Sequence, residues 1–184
     1  PSVTVAYQSM DPVTLVNIKR KNISLKQLDE VRHAVRESGV ETHCDLIMGM
    51  PGETTESFLN GLRMAFKKGF TNVNVFNCRM LGGTELNTPK SRNQFGIKTK
   101  FRLINLCYGK YGDNISIDHE EMITSTDTMS EEEILSMRPV NWLVYLFWNY
   151  RYYLEAMKLA LQLDVNPVDV ILRVIEQLDA SDGD

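Results

Sequence analysis

Asp45-Leu46-Ile47-Met48-Gly49-Met50-Pro51-Gly52-Glu53-Thr54 places an apolar strand, two glycines, a proline and an acid in ten residues. It reads as a strand that ends in a sharp turn and enters a helix capped by Thr54. Without a Cβ, Gly49 and Gly52 let the backbone turn abruptly and approach a ligand closely, and the first N–H groups of the helix attract an anion. The plainer alternative is a strand-to-helix turn and nothing more. Two shorter polar clusters follow other apolar runs, Gln8-Ser9 and Asn77-Cys78-Arg79. Arg79, beside the Gly82-Gly83-Thr84 turn, is the best-placed cation for a carboxylate or phosphate. Glu53 offers an acceptor to a ligand, or a charge to the helix N-terminus.

The remaining reactive side chains point elsewhere. His33 in a helix and His119 in an acidic loop read as solvated, while His43 lies just before the strand-end motif. Cys44, Cys78 and Cys107 are odd in number and far apart, the pattern of reduced thiols in a cytoplasmic setting. Neither G-x-G-x-x-G nor G-x-x-x-x-G-K-[ST] follows any strand, so dinucleotide and Walker-type sites are unsupported. Twenty basic against 24 acidic residues give a net charge of −4, which argues against binding to a nucleic-acid backbone. The most apolar run, Trp142 to Trp148, falls far short of the ~20 residues of a membrane span.

The elements that must position these groups alternate. Val3 to Tyr7 is β-branched and apolar, the pattern of a strand buried on both faces. Asp11-Pro12 caps a short helix carrying Leu15, Val16 and Ile18, and Ser24 with Gln27 opens a second from Leu25 to Ser38, closed by Gly39. A strand from Thr42 to Met48, a helix bearing Phe58, Leu59, Leu62 and Phe66 that stops at Gly69, and a strand from Asn72 to Cys78 complete the set. Strand-helix-strand order implies right-handed crossovers and a parallel sheet, with ligands beyond the carboxyl ends of the strands. Gln8-Ser9, Gly49 to Glu53 and Asn77 to Arg79 are those ends.

The second half is less regular. Thr88 to Lys100 reads as a loop, and Leu103 to Cys107, Ile115 to Ile117 and Met122 to Thr124 as short β pieces. Ser130 with Glu133 opens a helix, 140–163 reads as buried helix with its aromatic residues in the core, and Asn166-Pro167 opens a last amphipathic helix. Three segments result, 1–86, 87–129 and 130–184. Pro1 leads straight into a strand with no initiating methionine, as expected of a piece of something longer.

Four stretches together resemble successive motifs of the radical S-adenosylmethionine enzymes: Val5 to Asp11, Ile18 to Asn22, Asp45 to Thr54, and Arg79 to Leu86. The branch with an upstream cobalamin-binding domain is most similar, and a looser similarity continues through Tyr108 to Gly112 and Thr126 to Ser130. The resemblance implies the C-terminal half of a partial (β/α)6 barrel, an α/β fold with three parallel strands, followed by a mostly helical region. It implies that Gln8 and Ser9 face the ribose and methionine part of S-adenosylmethionine or the substrate, that Ile47 and Gly49 pack against its adenine, and that Asn77 to Arg79 meet the adenine edge. Arg20 is expected to reach the same site. The CxxxCxxC that holds a four-iron, four-sulfur cluster in the family is absent, so the chain by itself is expected to be inactive, its partners being the missing N-terminal half barrel and a small-molecule substrate. Cobalamin-dependent methyl transfer to carbon is one outcome for the parent. An exposed half barrel is also expected to self-associate. Two other readings stand beside this one, a non-catalytic α/β module that binds a protein through the aromatic stripe, and a phosphate-binding barrel piece.

Overall fold

The computed structural model describes residues 2–22 and 39–181. The helix expected over Leu25 to Ser38, with His33, lies outside them. Three parallel strands, β1 (Ser2–Gln8), β2 (Glu41–Met48) and β3 (Asn72–Asn77), form a sheet in the order β1-β2-β3. The chain is therefore mixed α/β, with a parallel sheet flanked by helices. No described helix is long and apolar enough to cross a membrane.

Helix α1 (Pro12–Asn17) starts where the sequence indicates: Asp11 accepts the Thr14 N–H at 2.7 Å, and Pro12 occupies the first turn, where a missing N–H costs nothing. Its Val13 and Val16 remain exposed. Helix α2 (Thr55–Lys67) opens with a reciprocal capping box between Thr54 and Ser57 and buries Phe58, Leu59, Leu62 and Phe66. Gly69, at φ +69°, ends it.

The two sheet faces differ in chemistry. Alternation along β2 sends Thr42, Cys44, Leu46 and Met48 into the core and leaves Glu41, His43, Asp45 and Ile47 on the other side less buried. The core joins that apolar face to α2 and to the C-terminal helices through Ile134, Val140, Val144, Trp148 and Ile171. On the opposite face Asn74 donates to Asp45 at 2.8 Å and the Asn72 amide lies 3.0 Å from His43 Nε2. Strand β1 departs from the sequence expectation: Ser2, Val3 and Thr4 are exposed, because β1 is the edge of the described sheet, and of its residues Tyr7 is buried in the core with Val5 packed partly against it.

Beyond β3 lie a 3-10 turn (Glu85–Asn87) and helix α3 (Pro89–Gln94). Where short β pieces were expected, one long antiparallel hairpin appears, β4 (Lys98–Tyr111) with β5 (Asn114–Ser125). A bulge between Leu103 and Tyr108 interrupts its ladder, and Gly112 turns it. That irregularity broke the two-residue alternation and hid the strand length. The hairpin base continues the parallel sheet: Met80 N–H donates to Glu121 O at 2.9 Å and Ile123 N–H to Cys78 O at 3.1 Å.

The buried helix expected over 140–163 is two helices. Helix α4 (Glu131–Val144), capped by Ser130 and Glu133, runs into a π turn (Tyr145–Asn149), and Arg151 at φ +65° redirects the chain into α5 (Leu154–Gln162). The aromatic residues divide accordingly. Trp148 is buried against Phe66 and donates its indole N–H to Phe70 O at 3.1 Å. Trp142, Tyr150, Tyr152 and Tyr153 are exposed, since one helical turn presents only part of its circumference to the core. Asn149 protects the free edge of β3, donating to Val73 O and accepting from Val73 N–H, each at 2.9 Å. Helix α6 (Pro167–Ser181) follows Asn166 as the sequence indicates and closes the core with Val168 and Ile171.

Candidate functional site

Every strand of the parallel sheet ends at the same side, and there the residues form a cavity of about 440 Å³. Gln8, Ile47, Asn77 and Arg79 line it together with Ile18 and Phe76. Ile47 pairs with Phe76 in the β2-β3 register, so the cavity floor is apolar and its rim polar. Ile18, Thr84 and Leu86 also line a second hollow of about 770 Å³ that carries Lys19, Glu85 and Lys90, with Lys19 and Glu85 joined at 2.5 Å.

The glycine turn supports this cavity from below. Gly49 has φ +83°, and a Cβ on it would sit 3.4 Å from Ile134 Cδ1, so it serves backbone geometry and packing on α4. Gly52, also at φ +83°, meets Asn17, whose side-chain amide donates to Pro51 O at 3.1 Å; a Cβ there would lie 2.2 Å from that amide nitrogen. Glu53 is enclosed, 2 % exposed, and accepts the Gly49 N–H at 2.8 Å. Burial pushes its carboxyl up to about 8, despite hydrogen bonds from the Gly49 and Met50 N–H groups, with the charge of Asp11 acting in the same direction as burial. Thr128 donates to Glu53 O at 2.7 Å and ties the turn to the start of α4. Glu53 is thus the lock of the turn, a role the sequence left open between ligand and helix end.

Ser9 is buried beside Glu53, and its hydroxyl accepts the Asp11 N–H at 3.2 Å. Ser9 and Gly49 therefore belong to the frame, while Gln8, Ile47, Asn77 and Arg79 reach the cavity. Gln8 takes φ +61° at a register shift in β1, which turns the strand end. Arg20 reaches the strand end through the Ala6 carbonyl, and Asn22 donates to Ser9 O at 2.7 Å. The Cys78 backbone is engaged on both sides, its N–H with Met48 O and its C=O with the Ile123 N–H. His43, near the opposite end of β2, is remote from the cavity.

Arg79 has a partner the sequence did not reveal. Glu120, on the hairpin, lies 2.7 Å from it and also pairs with Arg102. Partial burial opposes ionisation of Glu120, but the two guanidinium groups outweigh it and hold its carboxyl below the usual range. Two arginines sharing one carboxylate leave that rim net positive. Forty-one residues separate Arg79 from Glu120, so only the folded hairpin brings them together.

The thiols fit no iron-sulfur cluster. Burial, with the charges of Asp45 and Glu53 in turn, pushes Cys44 and Cys78 up to about 12. Cys44 and Cys78 lie in separate core clusters, and no group of three candidate metal ligands converges among the described residues.

No family model matches the chain. It is similar in part to the cobalamin-dependent radical SAM methyltransferase TokK of Streptomyces tokunonensis, 32 % identical over 97 residues, 52 % of this chain and 14 % of that protein. It is also similar to a 2-(S-pantetheinyl)-carbapenam-3-carboxylate methyltransferase of Streptantibioticus cattleyicolor, 26 % identical over 131 residues, 71 % of this chain and 19 % of that protein. The chain spans less than a fifth of either relative. Both relatives are thus methyltransferases by name, and one of them is a cobalamin-dependent radical SAM enzyme.

Proposed function

We propose that the chain forms the S-adenosylmethionine-facing part of a cobalamin-dependent radical SAM methyltransferase, working within a longer polypeptide that supplies the cluster ligands. The observation that carries this reading is the cavity beyond three parallel strand ends, where Gln8, Ile47, Asn77 and Arg79 meet around an apolar floor. Similarity to two methyltransferases, one of them cobalamin-dependent by name, supports it. In this reading the three strands are the C-terminal half of a six-stranded barrel.

Bound S-adenosylmethionine supplies a methyl or a 5′-deoxyadenosyl group for chemistry on the substrate. This chain's residues bind, orient and exclude water. Ile47 and Phe76 offer an apolar bed for the adenine, Asn77 offers amide hydrogen bonds to its edge, and Gln8 reaches the ribose side. Arg79 and Arg102 set a positive rim above the bed, and the second hollow gives room for a substrate beside the cofactor. Neither Cys44 nor Cys78 holds the cluster.

The test is anaerobic reconstitution of the longer polypeptide with iron and sulfide, followed by assay of 5′-deoxyadenosine and methylated product. Release that depends on the cluster and drops on Asn77→Ala supports the reading. A reconstituted protein that never cleaves S-adenosylmethionine overturns it, and the protein-binding module then takes its place.

A further inference from the structure

A groove of about 310 Å³ lies between the base of the hairpin and α4, next to the end of β3. Two element faces meet in it. Lys100 pairs with Met122 across the ribbon and Arg102 with Glu120, which puts these four side chains on one face of the hairpin. Glu131, Leu135 and Arg138 recur at helical spacing and supply the facing side of α4, and Lys100 ties the two faces together by pairing with Glu131. Met122, Ile123 and Ile134 are 9 %, 4 % and 6 % exposed and make the floor apolar. Asn77 stands at one side of the groove and lines the strand-end cavity as well.

The charges of this groove do not cancel. Lys100, Arg102 and Arg138 face a single lining acid, Glu131, so the lining holds two positive charges in excess, in a chain whose net charge is −4. Glu120, which Arg102 also meets, is balanced by Arg79 at 2.7 Å. The Arg138 guanidinium has no ion pair and no hydrogen bond with any described residue. A planar fork of donors left open beside an apolar floor suits a carboxylate or phosphate group joined to an apolar body. The volume falls at the lower end of the ~300–1,000 Å³ of small-molecule sites. Two surplus charges are also too few to hold a polyanion against a net negative chain. We propose that this groove binds a small organic anion, its charged group on Arg138 with Lys100 and Arg102 beside it, and its apolar part on Met122, Ile123 and Ile134.

The proposal is independent of the cofactor reading. Benzoate and phenyl phosphate, titrated at low salt into the isotope-labelled chain and followed by NMR, test it, with benzylamine and acetate as probes of charge and of apolar area. The expected result is saturable shifts at Ile123, Ile134 and the Asn77 side chain with the aryl anions, the tighter of the two identifying the charged group, while benzylamine gives none and acetate binds about tenfold more weakly or worse. Affinity should fall about tenfold or more in Arg138→Gln and by less in Arg138→Lys, which keeps the charge and loses the fork. Arg138 is exposed, so neither variant removes core packing. Lys158→Gln, an exposed cation on α5, should leave the affinity unchanged. The absence of any saturable shift with both aryl anions overturns the proposal, as does equal binding of benzylamine or an affinity that Arg138→Gln leaves intact. Acetate binding as tightly as benzoate would mark an adventitious ion only and overturns it likewise.

Discussion

The two β structures of this protein are built on opposite principles. In the parallel sheet the core face of β2 is closed by helices down to Leu46 and Met48, 2 % and 1 % exposed, and even the free edge of β3 is paired by the Asn149 amide. In the hairpin, the side chains beyond Lys98 are mostly exposed and the strands are held chiefly by each other. The sheet is a rigid scaffold whose strand ends shape a cavity, while the hairpin is an arm that adds Glu120 to the rim and offers an uncovered face. Stability should reside in the first and recognition in the second.

The comparison is broken most directly at Trp148. Replacing it by alanine removes a buried indole, its edge contact with Phe66 at 4.8 Å and its bond to Phe70, and should cost about 3–5 kcal/mol in urea unfolding. Leu103→Ala on the arm, measured in dilute protein, should stay within ~0.5 kcal/mol. Equal losses at the two sites would erase the distinction.

Glu53 sharpens it through pH. Its folded-state carboxyl lies at about 8, above the ordinary value, so the folded chain binds a proton that the unfolded chain has released. The stability it contributes is complete below the unfolded pKa and is lost as pH rises through about 8. Unfolding free energy should fall across that window by as much as ~1.4 kcal/mol per pH unit. Glu53→Gln should flatten the dependence, and an unchanged slope in the variant would remove Glu53 as its source.

A smaller effect is expected at Asn149. Alanine there leaves both polar groups of Val73 without their side-chain partner, which should cost about 1–3 kcal/mol and speed hydrogen exchange at the Val73 amide selectively. Smallest is Arg79→Ala. Its partnership with Glu120 is half-exposed, and thermal unfolding should register less than ~1 kcal/mol.

Local rules made much of the scaffold legible. Asp11-Pro12, Thr54, Ser130 with Glu133 and Asn166-Pro167 each start a helix through caps acting within one turn. Gln8, Asn77 and Arg79 were recognisable as strand ends because a parallel sheet sends every strand end to the same side, whereas Ile47, inside its strand, was singled out only by the family resemblance. Ser9 was visible as polar, but not that the Glu53 carboxyl and the Asp11 amide would claim it. The hairpin was obscured by the bulge after Leu103, which reverses the alternation midway. Glu120 was obscured because its partner lies on a different element, and no periodic pattern encodes a contact at that separation.

The central claim is that the strand-end cavity takes the adenosyl part of S-adenosylmethionine. Titrating S-adenosylmethionine into the isotope-labelled chain and following amide and side-chain resonances by NMR tests it most directly. The account predicts saturable shifts at Gln8, Ile47, Phe76 and Asn77, with none at the hairpin tip around Gly112, and their loss in Asn77→Ala. Shifts confined to the hairpin, or none at the strand ends at saturating ligand, would contradict it.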